Sequence, residues 1–148
     1  PIPQDKAILL TLKNPKDLLE KDANAIFGEP IELDLNGLGI RSIEYWHSQS
    51  RFIIIAGAYD GSDQFSLYQW SGLEVENPQL IEVTGLPSDF RPESVLFYPN
   101  RDYQFQLISD DGSIERIAGT PCKDIKIKDD EDSPHKYFRS LWIRTEDA

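Results

Sequence analysis

The feature that most constrains this chain is a pattern that occurs three times. Ile40-Arg41-Ser42-Ile43 returns as Pro92-Glu93-Ser94-Val95 and again as Phe138-Arg139-Ser140-Leu141, at steps of 52 and 46 residues. Each copy is a charged residue, then Ser, then an aliphatic residue, followed by further apolar and aromatic positions. A second landmark keeps the same step: Tyr59-Asp60-Gly61 aligns with Asp110-Asp111-Gly112, 51 residues on. Repeats of about 40–50 residues filled with short strands are the signature of propeller blades.

Between the repeats the chain alternates short apolar runs with Gly-, Asp- and Asn-containing turns. Ala7–Leu12 reads as a strand, and Ile31-Glu32-Leu33-Asp34-Leu35 alternates as a half-buried strand should. Between them Asn14-Pro15 opens a short helix over Pro15–Glu20, with Asn14 accepting from the first turn and Leu18 and Leu19 as its buried side. Asn36-Gly37-Leu38-Gly39 is a turn into the first repeat. One unit then has strands at Arg41–Trp46, Phe52–Ala56, Phe65–Trp70 and Gln79–Val83. The next has Glu93–Tyr98, Tyr103–Ser109, Ile114–Ala118 and Lys123–Ile127, and Phe138–Ile143 starts another. The expected fold is all-β and propeller-like, built of consecutive antiparallel meander blades with one short helix near the N-terminus. Its units are residues 1–38 (outer strands of a first blade), 39–85 (a second blade), 86–128 (a third) and 137–148 (the first strand of a further blade). A blade needs neighbours to bury both faces, and a closed ring needs at least four. The chain, which opens on Pro1 and contains no Met, is therefore expected to be an arc of a larger propeller, or one completed through its exposed blade faces by another copy.

Composition narrows the partners. The formal charge is −11, from 15 basic and 26 acidic residues, which argues against nucleic acid and anionic membranes. No apolar run reaches the roughly 18 residues of a membrane span. The single Cys122 excludes an internal disulfide framework and favours a reducing, cytoplasmic compartment.

Several stretches resemble a known family. Leu33–Ile43 is similar to a Gly-rich "GIR" segment, and Ile54-Ile55-Ala56-Gly57 with Phe65–Gly72 to an "IIAG … LYxWdG" stretch. Pro92-Glu93-Ser94-Val95, Ser109-Asp110-Asp111-Gly112 and Phe138-Arg139-Ser140 resemble later motifs of the same family. It is a bacterial propeller-like family known only as domain of unknown function 3616. The likeness spans nearly the whole chain and corresponds to the family's C-terminal part. It implies a fold and carries over no activity. Pro92-Glu93-Ser94 departs from the family's commoner "PEG/PEA" form but keeps the Glu.

If the repeats are blades, Arg41, Glu93 and Arg139 stand at one mouth of the central channel, with Asp110 nearby. Arg suits bidentate binding of carboxylate or phosphate, and Glu can act as a base or metal ligand. The structural alternative is that Arg41 and Glu93 pair across adjacent blades, with Arg139 closing the set. Asp60, Asp63 and Asp111, with Asp110, are weak candidates for a divalent cation such as calcium, which prefers oxygen ligands. Turns use the same residues, and no twelve-residue calcium loop is present. Asp129-Asp130-Glu131-Asp132 reads as a solvated loop, Cys122 as a packing thiol, and His47 and His135 are too scattered for zinc. Trp46, Trp70 and Trp142 recur with the units and read as packing residues. No cofactor is expected beyond that cation. The leading expectation is a non-catalytic binding or scaffold module for a protein or a small anionic ligand. The alternative is a propeller-type hydrolase acting on an anionic or phosphorylated small molecule at the channel.

Overall fold

A computed structural model describes residues 5–59, 62, 64–117, 119–121, 123–124 and 134–145. These form β1 (Ala7–Leu9), α1 (Pro15–Glu20), β2 (Ile31–Leu33), β3 (Gly39–Trp46), β4 (Arg51–Gly57), β5 (Phe65–Trp70) and β6 (Gln79–Ile81). They continue as β7 (Pro92–Phe97), β8 (Gln104–Ser109), β9 (Glu115–Ile117), β10 (Thr120–Pro121) and β11 (Ser140–Arg144). Every strand pairing among the described residues is antiparallel. The chain is mostly β, and α1 is the one α-helix among the described residues.

The second unit folds as its sequence predicts. β3-β4-β5-β6 is a four-stranded meander in chain order. Its central strand β4 carries the run Phe52-Ile53-Ile54-Ile55-Ala56, and alternation sends successive side chains to opposite faces. Ile54 and Ala56 join Ile31, Leu33, Leu35, Tyr68 and Trp70 on one side. Ile53 and Ile55 join Trp46, Leu67, Val95, Phe105 and Leu107 on the other. A segment buried on both faces must be apolar throughout, and the run Phe52–Ala56 is, with Arg51 left at the open end of the strand. The four-stranded sheet thus lies between the β1-β2 pair and the sheet that contains β7 and β8. The left-handed pair Asn36 (φ 53) and Gly37 (φ 77) turns the chain from β2 into β3, closed by a bond from Leu38 N to Leu35 O of 3.1 Å.

The first two repeat copies are equivalent in detail. In β3, Ile40 faces Ala56 and Ser42 faces Ile55, so Arg41 is an extra residue. In β7, Pro92 faces Ser109 and Ser94 faces Ile108, so Glu93 is extra in the same way. Both are β-bulges, which bend the strand and re-aim one side chain. The repeated charge thus marks a bulge.

The third copy departs from expectation. Phe138–Ile143 was expected to open a further unit, and residues 86–128 to supply four strands of one blade. Instead β11 lies on the free edge of β8, in a sheet ordered β11-β8-β7. Ser140, Leu141 and Trp142 face the same Ile108, Leu107 and Gln106 that β7 faces with Ser94, Val95 and Leu96. β9 and β10 form a separate hairpin. Of the expected strand Lys123–Ile127, Lys123 and Asp124 are in a turn and the rest lies outside the described residues. The cause is physical: the edge of β8 holds unpaired backbone groups, and β11 satisfies them while packing Leu141 and Ile143 onto the Trp46–Phe105 cluster.

Two smaller expectations fail near the N-terminus. No residue of α1 is buried: Leu19 is 84 % exposed and Leu18 half-buried. Asn14 caps no helix N–H; its Oδ1 accepts from Ile26 N at 2.7 Å and its Nδ2 donates to Asn24 O at 2.9 Å. The residue braces the returning chain instead. A six-residue helix is marginal alone, and this one is held through its flanks, where Lys13 N donates to Ile26 O and Asn14 bonds Asn24 and Ile26.

Candidate functional site

The bulges bring Arg41 and Glu93 to neighbouring positions on β3 and β7. Arg41 Nη1 lies 3.9 Å from Glu93 Oε1, and Arg41 Nη2 donates to Ala58 O at 2.5 Å. Gly57 makes room for this path, since a Cβ there would sit 3.0 Å from both Cγ and Nε of Arg41. The Arg41 and Glu93 side chains are 38 % and 36 % exposed, so the ion pair itself contributes about 0–1 kcal/mol.

The guanidinium of Arg139 is taken up by two other carboxylates. Its Nε and Nη2 donate to Asp111 Oδ2 and Oδ1 at 3.0 and 2.9 Å, and its Nη1 donates to Asp89 Oδ1 at 2.8 Å. The Arg139 backbone N donates to Asp111 Oδ2 at 3.1 Å, and Ser109 Oγ to Asp111 Oδ1 at 2.8 Å. Ser109 Oγ in turn accepts from Arg91 N at 3.0 Å. The Asp111 side chain is 3 % exposed, and burial is tolerated because every lone-pair direction meets a donor. These bonds raise the Arg139 pKa above its usual value, led by the bond to Asp111 and then that to Asp89. They hold the Asp89 carboxyl below its usual 3.8, chiefly through the hydrogen bond from Arg139. A lowered carboxyl pKa means that this support is present above pH 3.8 and is lost as pH falls through the folded value. The cluster clamps β11 to the β8–β9 turn.

Asp110, expected at the channel mouth, serves its own turn: its Oδ1 accepts from Gly112 N at 2.9 Å. Asp111 spends its oxygens on Arg139 and Ser109, so it is a clamp residue and not an open ligand. No three His, Cys, Asp or Glu side chains cluster as a metal site among the described residues. Asp60, Asp63, Cys122 and Asp129–Asp132 lie outside the described residues. His47 packs edge-on against Tyr45, with ring centroids 4.9 Å apart, and His135 accepts from Tyr137 N through its backbone carbonyl at 3.2 Å.

Of the tryptophans, Trp46 stacks on Phe97 at 5.2 Å and Trp70 donates through Nε1 to Leu73 O and Glu76 O, both as packing residues. Trp142 differs from expectation. It is 47 % exposed, beside Tyr98 at 5.1 Å and under the Arg101 guanidinium at 4.7 Å. It sits on the outward face of β11, where no further sheet packs among the described residues.

Sequence reasoning missed Asp89 and the role of Ser109. It also missed a row of polar side chains at the open ends of β4, β5 and β6: Arg51, Gln69 and Gln79. Their signal was faint, since long polar residues at strand ends are ordinary. No described helix is long and apolar enough to cross a membrane. Compared with known proteins, the chain matches no family model, no curated protein and no solved structure.

Proposed function

We propose that this chain is a propeller-like, non-catalytic binding or scaffold module. What supports the propeller-like part of the reading is the succession of antiparallel sheets along the chain together with the repeated motifs, and the resemblance to domain of unknown function 3616 belongs to the same proposal. The observation that carries the reading is how the repeated charges are spent. Arg41 engages the Ala58 carbonyl and Glu93, and Arg139 engages Asp111 and Asp89. Charges held in this way join neighbouring segments and support a structural role for the repeat. Grooves at the ends of β4, β5 and β6 and between β3 and β7 are lined by other residues, and in this reading recognition falls to such grooves and to the sheet faces.

The test is turnover. The purified chain, with and without added calcium, is incubated with p-nitrophenyl phosphate and p-nitrophenyl acetate. Release of nitrophenol at the buffer rate is the expected result. Turnover that Glu93→Gln and Arg41→Ala both abolish, in folded variants, would replace this reading with that of a hydrolase acting at the channel mouth.

A further inference from the structure

Two concave regions, of about 350 and 560 Å³, share Gln49, Arg51 and Gln69 and so form one groove. It runs across the open ends of β4, β5 and β6 toward β11. Its wall is a hydrogen-bonded ladder across three strands. Arg51 Nη1 donates to Gln69 Oε1 at 2.6 Å, and Gln69 Nε2 donates to Gln79 Oε1 at 3.3 Å. Each amide has two N–H donors and an oxygen with two lone pairs. The ladder therefore fixes these side chains in place and leaves donors and acceptors of both kinds facing the groove. The opposite wall is formed by Ile143, Arg144 and Thr145 of β11, while the ring of Trp142 lies on the other face of that strand against Tyr98 and Arg101.

The charges of the groove decide what it suits. Arg51 and Arg144 stand against Glu76 and Glu82, a balanced set inside a chain of formal charge −11. An anion would need surplus cations there, and a cation surplus carboxylates. A ligand made of hydroxyl groups needs neither. Each hydroxyl both donates and accepts, which oriented amides satisfy in pairs, and the C–H faces of the sugar can lie against the apolar Leu80 and Ile143 of the same groove. We infer that this groove binds a neutral oligosaccharide. The inference rests on the binding-module reading and names the ligand class for it.

The test uses the whole chain with maltohexaose, cellohexaose, chitohexaose and, as the anionic arm, dextran sulfate. Binding is followed by calorimetry and by tryptophan fluorescence, since Trp70 and Trp46 border the groove. At least one neutral hexasaccharide binds and shifts the emission to the blue. Gln69→Ala and the edge variant Gln79→Ala each weaken binding about fivefold to tenfold, the size of one lost hydrogen bond. Gln64→Ala, on an exposed loop away from the groove, leaves it unchanged. Trp142→Phe, which removes a ring on the far face of β11, leaves the calorimetric signal and the emission shift in place. Folding of each variant is checked by its circular dichroism melt. The inference is overturned if no neutral hexasaccharide gives heat or shift, if dextran sulfate binds in preference, or if Gln64→Ala weakens binding as much as Gln69→Ala. None of those outcomes touches the binding-module reading, which falls only with turnover of the nitrophenyl esters.

Discussion

Replacing Phe105 by alanine is expected to destabilise the chain by about 3–5 kcal/mol, the range for removing a fully enclosed aromatic ring. Phe105 is fully buried. Its ring meets Trp46 of β3 at 5.4 Å and Phe97 of β7 at 6.0 Å, both edge-on. It is opposite Phe97 on one side of β8 and Ile143 on the other. The ring therefore ties together two sheets and all three strands of the second. Sheet backbones cannot close over a hole of that size, so most of the cavity remains. Urea unfolding measures the loss, and Trp46 emission should move to the red as its cover is removed. Phe138→Ala is the contrast: Phe138 is 68 % exposed, and its loss should cost less than about 0.5 kcal/mol. Equal effects from the two variants would contradict the packing described.

The second large effect is expected at the clamp. Asp111→Ala should cost about 2–3 kcal/mol, just below the roughly 3–5 kcal/mol that breaking a fully buried ion pair costs. The side chain accepts from Ser109 Oγ, from the Arg139 backbone and from two guanidinium nitrogens. Truncation leaves the Ser109 hydroxyl without this acceptor in a buried place and the guanidinium half satisfied. The value falls on the low side because Arg139 is 25 % exposed and keeps Asp89. Asp111→Asn retains the oxygen for Ser109 and should lose less. Hydrogen exchange locates the damage: amides of Leu141 and Ile143 should lose protection before those of β4. A loss below about 0.5 kcal/mol with β11 still protected would show that the clamp does not hold the strand.

Much of the fold could be read from local pattern. The alternation of Ile31, Leu33 and Leu35, the unbroken run of β4 and the Asn36-Gly37 turn each follow from a few adjacent residues. The equivalence of Arg41 and Glu93 could be read as a repeat, though not as a pair of bulges. A bulge is a property of two strands, and only one is visible in a linear pattern. The third copy misled for a related reason. A charged residue, Ser and alternating apolar residues describe a strand with one buried face; they do not say which edge it will join. Phe138-Arg139-Ser140-Leu141 satisfied the rule at the outer edge of β8 as well as it would at the start of another unit. Arg139 met Asp111 and Asp89, 28 and 50 residues earlier, partners that no local spacing indicates. Leu19 failed because the helix is tied in by the bonds of Lys13 and Asn14 to the returning chain, 10–13 residues on, and not by its apolar side.

The placing of the third copy decides whether Arg139 can share a site with Arg41 and Glu93, and it can be measured directly. Cross-strand nuclear Overhauser effects in the labelled chain report which strand lies beside β11. The expected set joins β11 to β8 with Leu141 opposite Leu107 and Ile143 opposite Phe105, and places β7 on the other edge of the same strand. A set joining Ser140–Arg144 to any other strand, with no effects to β8, would contradict the account and return Arg139 to the other two charges.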